Sequence, residues 1–146
     1  LGLLIPLALV LGGRDRGVAA IGLGTASALT VAMVVQSIKW TVRRRRPMGL
    51  TLANPIAAPD AHAFPSGHTA QAFGMVVVAA WLAPWLGVVT LVVATCVGLS
   101  RMFFGLHYPT DVVAGALIGA MVTILVIVVS REVGYTDWLL RLRPAP

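Results

Sequence analysis

The chain reads as long apolar runs broken by short polar ones. Residues 1–11 are apolar and uncharged, and Arg14, Asp15 and Arg16 then form a tight charged loop. Residues 17–38 carry no charge and are long enough to cross a bilayer, which takes roughly 20 residues. The run ends at Lys39, Trp40 and a block of arginines, an aromatic-beside-basic pattern that suits a membrane interface. Residues 69–100 are again uncharged. As a single helix they would extend about 48 Å, well beyond a hydrocarbon core of roughly 30 Å. Trp81-Leu82-Ala83-Pro84-Trp85 lies in the middle, and a proline between interface-seeking tryptophans predicts two short spans joined at Pro84. Residues 112–130 form a last span before a mixed tail from Arg131. The pattern predicts an all-α integral membrane helical bundle with five recognisable transmembrane segments. The short first segment reads as the remainder of a helix, since no basic region precedes it and no cleavage pattern follows, as a signal peptide would require.

Two stretches depart from this pattern. Residues 41–67 hold Pro47, Pro55, Pro59 and Pro65 with Asn54, Asp60 and His62, which predicts a long irregular loop. Loops of that length in compact domains are usually functional or disordered. Residues 101–109 form a second polar loop. Alternation of the spans puts these two loops on one side of the membrane. The 13–17 loop, the Pro84 turn and the C-terminal tail fall on the other. Small residues such as Gly22, Gly24, Gly115 and Gly119 suit close helix packing in lipid. Gly115-x-x-x-Gly119 is expected to pack within one chain rather than to make a dimer.

Composition agrees with lipid as the solvent. The 146 residues are 58% hydrophobic and 11% charged, against about half and about 25% for soluble domains. Mean hydropathy is +0.91. One domain spanning 1–146 is expected. The net charge of +6 suggests an anionic partner. Nucleic acid is excluded as that partner because so apolar a chain offers little soluble surface. Cys96 is the single cysteine and forms no internal disulfide. The pattern sets no oligomeric state.

The two loops concentrate the chemistry. His107 and Asp111 are spaced i, i+4, so at a helix start the carboxylate lies one turn beneath the ring and can accept one of its N–H groups. That leaves the other ring nitrogen as a nucleophile or base, although such a pair is also common as a purely structural contact. Pro65-Ser66-Gly67-His68 opens a helix. Ser66 is a candidate N-cap, and the free N–H groups beside Gly67 make an anion site. His68 would then sit beside a bound anion, positioned to protonate a leaving oxygen; a capped helix with an interfacial histidine is the simpler use. Lys39, Arg46 and Arg101 add cationic donors suited to phosphate oxygens. Arg43, Arg44 and Arg45 read instead as a cluster that grips anionic lipid. Asp60 and His62 read as parts of a solvated loop. A zinc site from His62, His68, His107 and Asp111 is conceivable, but the anion site already uses two of those histidines.

Three parts, Lys39-(six residues)-Arg46-Pro47, Pro65-Ser66-Gly67-His68 and Ser100-Arg101-(five residues)-His107-(three residues)-Asp111, together resemble the three-part motif of the type 2 phosphatidic acid phosphatase (PAP2) family. The match runs from 39 to 111, with active-site loops at 39–68 and 100–111. The resemblance implies His107 as nucleophile, Asp111 as its orienting group and His68 as general acid. It implies Lys39, Arg46, Ser66, Gly67 and Arg101 as the phosphate-binding set, with no metal and no cofactor. It also implies six spans, against two segments before Lys39 here, so either an upstream helix lies beyond these residues or this is a shorter variant.

The expected activity is hydrolysis of a lipid phosphate by a multi-pass protein of the plasma (inner) membrane. Its partners would be that substrate and the surrounding membrane lipids. The substrate class comprises phosphatidic acid, phosphatidylglycerol phosphate, a polyprenyl (di)phosphate or a polyprenyl-linked sugar phosphate. A phosphotransferase using the same phosphohistidine is the enzymatic alternative. A non-catalytic membrane protein binding anionic lipid is the alternative of another class. The motif side carries Lys39, Arg43 to Arg46 and Arg101 against Asp60 and Asp111. If substrate binding explains those charges, Arg14, Arg16, Arg131, Arg141 and Arg143 act as the cytoplasmic anchor, and the site faces outward.

Overall fold

A computed structural model describes residues 4–47 and 62–134, with side chains from Gly17 onward. Asp60 and the tail carrying Arg141 and Arg143 lie outside the described residues. Four helices make up the described fold: α1 (Leu4–Val42), α2 (Gly67–Leu82), α3 (Pro84–Phe103) and α4 (Pro109–Glu132). Among the described residues there is no strand, only an isolated antiparallel bridge between Arg45 and His62.

The expected charged loop at 14–16 is helical instead. Segments 1–11 and 17–38 were expected as separate spans, but from Leu4 onward they belong to the single 39-residue helix α1. No proline falls between Pro6 and Pro47, and arginine is a good helix former, so three charged residues do not suffice to interrupt the helix. At about 1.5 Å per residue α1 extends about 58 Å, and its portion Gly17–Val42 is long and apolar enough to span. Pro84–Phe103 and Pro109–Glu132 also qualify, whereas Gly67–Leu82 is apolar but shorter. Among the described residues there are therefore three long apolar helices and a fourth short one, not the five separate segments expected.

The break at Pro84 occurs where expected. Ala83 is extended (φ −155°, ψ 130°), and Pro84 occupies the first turn of α3, where its missing N–H costs nothing. The α2–α3 corner is tight: a Cβ on Gly87 would lie 2.6 Å from that of Ala80.

Short α2 is the central element and packs against each of the other three helices. A core of Val31 and Val35 from α1 and Ala70 from α2 is covered by Ile118 and Val122 of α4. Gly115 and Gly119 face α2: a Cβ on Gly115 would come 2.5 Å from the Ser66 carbonyl, and one on Gly119 would overlap the Ala70 carbonyl. Both glycines therefore serve packing inside the chain. Outward faces are apolar, with Leu29 of α1, Val92 of α3 and Leu117 of α4 all exposed. Such a surface belongs in lipid.

Candidate active site

At one end of the bundle the chain buries polar side chains that hydrocarbon would not tolerate alone. Lys39, Ser66, Thr69, His107 and Asp111 are all buried there, Ser66, Thr69 and Asp111 at 0% exposure. Burial of such groups requires partners. Those partners come from four places: the last turn of α1 with residues 43–47, residues 62–66 with the start of α2, the last turn of α3, and the start of α4.

His107 lies in the loop before α4. Its Nδ1 is 2.7 Å from the Ala63 carbonyl oxygen. A carbonyl can only accept, so Nδ1 carries the proton and Nε2 keeps a lone pair in the neutral ring. Nε2 is 3.5 Å from Nη1 of Arg46. Arg46 is held in turn by donating to the Leu106 carbonyl at 3.0 Å. Burial lowers the His107 pKa, helped by Arg46 and Lys39 and opposed by the Ala63 carbonyl and Asp111, to about 4. The ring is therefore neutral at physiological pH.

Asp111 lies one turn beneath His107, as its spacing suggests, but its oxygens are engaged elsewhere. Oδ1 accepts from Nη1 of Arg44 at 2.8 Å, and Oδ2 accepts from the Tyr108 backbone N–H at 2.8 Å. Oδ2 is 3.7 Å from Nδ1 of His107, beyond hydrogen-bond distance. The group that accepts the ring proton here is Ala63.

Lys39 reaches from the last turn of α1 to donate to the His62 carbonyl at 3.1 Å. Ser66 is the N-cap residue of α2, yet its hydroxyl pairs with that of Thr69 at 2.9 Å rather than with a backbone N–H. The first N–H groups of α2, from Gly67 onward, have no acceptor within their own helix. Ser66 N–H donates to the Asp111 carbonyl at 2.9 Å, which joins the second motif part to the third. His68 is exposed in the first turn of α2. Arg101 closes α3: its carbonyl accepts from Leu106 and His107, and its buried Nε has no partner among the described residues. The three motif parts thus meet at one end of the bundle.

Sequence reasoning missed Arg44 and Ala63. Ala63 acts through a backbone carbonyl, which leaves no mark in the sequence. Arg44 was grouped with Arg43 and Arg45, although Arg44 and Arg46 both reach inward while Arg43 and Arg45 are exposed. A two-residue alternation counted back from Arg46, as in extended chain, is the signal that could have separated them.

Comparisons with known proteins bear on this geometry. The fold is shared with a transmembrane PAP2-type phosphatidylglycerolphosphate phosphatase from Bacillus subtilis, at a TM-score of 0.63 and 23% identity over 90% of this chain and 70% of that one. A decaprenylphosphoryl-5-phosphoribose phosphatase of Mycolicibacterium smegmatis is 35% identical over 70% of this chain and 54% of its own length. An undecaprenyl-diphosphatase of Sulfolobus acidocaldarius is 28% identical over 72% of this chain and 53% of its own length. The chain thus spans about half the length of these two relatives. The family model of the PAP2 superfamily matches residues 19–135, a stretch that includes every residue of the site described above, and the chain belongs to that superfamily.

Proposed function

We propose that the chain is the catalytic part of an integral-membrane phosphatase that hydrolyses a lipid phosphomonoester or diphosphate through a phosphohistidine on His107. The observation that carries this reading is the state of that ring: neutral, with its proton held by Ala63 and its Nε2 lone pair facing Arg46. In the first step Nε2 attacks phosphorus while the bond from phosphorus to the lipid oxygen breaks, and His68 protonates that oxygen. In the second step water attacks the phosphohistidine, passing a proton to His68, and inorganic phosphate leaves with Nε2 restored. Lys39, Arg46, Arg101 and the Ser66–Gly67 backbone hold the phosphoryl oxygens, whose charge is the main burden in phosphoryl transfer. Asp111 fixes the start of α4 beneath His107. No step needs a metal.

The apolar bundle supports a substrate that keeps its chain in lipid and presents its headgroup at the interface marked by Trp40. The names of the two relatives favour a polyprenyl-linked phosphate or diphosphate over phosphatidic acid, and that of the structural match keeps phosphatidylglycerol phosphate beside them. The arginines expected at the opposite end support a reading in which the site faces outward from the plasma membrane. A phosphate-release assay over a panel of these lipids tests the reading. His107→Ala should lose about 10³-fold or more while remaining folded, and vanadate should inhibit the wild type competitively. Full activity in His107→Ala would overturn the mechanism.

A further inference from the structure

Asp111 is fully buried, and a buried carboxylate is costly unless it is paired. Its charged partner is Arg44, at 2.8 Å. The same Nη1 lies 2.8 Å from the Thr110 hydroxyl. The guanidinium carbon sits 4.2 Å from the centroid of the Tyr108 ring, as a cation–π contact requires. One side chain therefore grips the N-cap residue of α4 and two residues of its first turn, the stretch that directly follows His107.

The backbone of Arg44 works on the same target from another direction. Its carbonyl accepts from the Ala63 N–H at 2.8 Å, and the Ala63 carbonyl accepts the His107 ring proton. The contacts close a ring: Arg44 to Ala63, Ala63 to His107, His107 along the chain to Asp111, and Asp111 back to Arg44. Each nitrogen and oxygen in this ring has its partner among the described residues.

Resting on the reading of His107 as nucleophile, we infer that Arg44 is a positioning residue for that histidine rather than a lipid-gripping arginine like its exposed neighbours. It holds the start of α4 and the 62–63 segment in register, and so fixes which His107 nitrogen bears the proton and where the other one points. Lysine could not replace it. An ammonium lacks the planar face that stacks on Tyr108 while Nη1 donates to Thr110 and Asp111.

The test compares Arg44→Gln, Arg44→Lys, Thr110→Val, Asp111→Asn, Arg44→Gln with Asp111→Asn, and Arg45→Gln. All are assayed in the full chain with dioctanoyl phosphatidic acid and decaprenyl phosphate. Misplacing a reacting group by about 1 Å can cost about 10²-fold. Arg44→Gln should therefore lower kcat by about 10- to 100-fold while KM changes less than about three-fold. Arg44→Lys should recover only part of this, and Thr110→Val should show a milder loss of the same kind. The double variant should be no worse than its worse single, whereas Arg45→Gln should keep kcat. A second readout is independent of turnover: nitrogen-15 spectra of histidine-labelled protein, with His107→Ala for assignment, should show the Nδ1–H form in the wild type and a mixture of tautomers in Arg44→Gln and Arg44→Lys. A raised KM with unchanged kcat in Arg44→Gln, losses that multiply in the double variant, or an unchanged tautomer in both Arg44 variants would overturn the inference. A wild type that releases no phosphate, or an active His107→Ala, overturns the phosphatase reading instead, and the tautomer spectra then still decide the role of Arg44.

Discussion

The site end of the bundle and its middle both bury polar side chains, but on different terms. At the site end Lys39, His107 and Asp111 each meet a named partner across elements, and the Ser66 hydroxyl meets Thr69 in the first turn of α2. In the middle the buried hydroxyls of Ser27 on α1 and Thr123 on α4 have no hydrogen-bond partner among the described residues. There the helices are held by close approach, with Gly119 against Ala70 and Gly74 against Thr123. The middle is a spacing device that tolerates idle hydroxyls, whereas the site end, the Arg101 Nε apart, is a connected network in which losing one member strands another. The two should therefore respond in opposite ways to the same kinds of substitution.

The largest effect is expected in the middle. Gly119→Ala would drive a methyl into the Ala70 carbonyl, a backbone atom that cannot rotate away. Overpacking of this kind costs about 1–3 kcal/mol, and the upper end is expected here. The unfolding midpoint in detergent should drop, with activity lost along with the fold. Gly74→Ala meets the Thr123 hydroxyl closely and the Gly119 carbonyl at an ordinary 3.4 Å, so it should cost less, and Thr123→Ala should relieve most of that cost. Equal losses for the two glycines would mean that the spacing account is mistaken.

Next comes the pH response of the site. A histidine at its ordinary pKa of about 6.5 is only about 3% neutral at pH 5, whereas one at about 4 is about 90% neutral, roughly a thirty-fold difference in available Nε2. The acid limb of kcat/KM should therefore fall near pH 4; a midpoint near 6.5 would contradict the burial of His107. The effect on stability follows from the same displacement. The unfolded chain binds the proton more tightly, so acidification between about 6.5 and 4 favours unfolding, and above 6.5 the contribution is flat. His107→Gln should remove that part of the slope.

How much of this was legible beforehand differs between the regions. Proline and glycine chemistry is local, so the break at Pro84 and the packing role of Gly115 and Gly119 could be read from residue type. Lys39, Arg46, Ser66, Arg101, His107 and Asp111 could be singled out because three weak patterns coincide in order and spacing. Continuity of α1 through Arg14, Asp15 and Arg16 was hidden, since charge density suggests a loop while helix propensity does not. Arg44 was hidden among four consecutive arginines whose inward or outward direction depends on where the helix stops. Ala63 could not be found at all, because its contribution is a carbonyl that every residue possesses.

A smaller effect separates two threonines. Thr69→Val removes the partner of the buried Ser66 hydroxyl, and stranding such a group costs about 1–3 kcal/mol. Thr123→Val replaces a hydroxyl that already has no partner with a group of the same shape, so it should be neutral or stabilising by up to about 1 kcal/mol. Thermal unfolding of the two variants in one detergent reads the difference directly. If Thr123→Val is the more damaging, the middle is a polar network after all.

The smallest effect concerns how the chain leaves α1. Arg43 has φ 48°, the left-handed region that costs an L-residue about 1–2 kcal/mol. Its N–H still donates to the Lys39 carbonyl, and its Nε donates to the Trp40 carbonyl. This left-handed step ends the helix and directs Arg44 toward Asp111. Arg43→Gly removes the steric cost but adds about 0.5–1 kcal/mol of backbone entropy and loses an exposed hydrogen bond. Its stability should therefore stay within about 1 kcal/mol of the wild type, with kcat unchanged. Arg43→Val keeps the entropy of an ordinary residue, but its branched Cβ is least at ease with positive φ. It should lose about 1–2 kcal/mol and, by turning Arg44 away from α4, lower kcat as well. A valine variant that matches the glycine variant in both measurements would show that the direction of Arg44 is set by its partners on α4 and not by the backbone that delivers it.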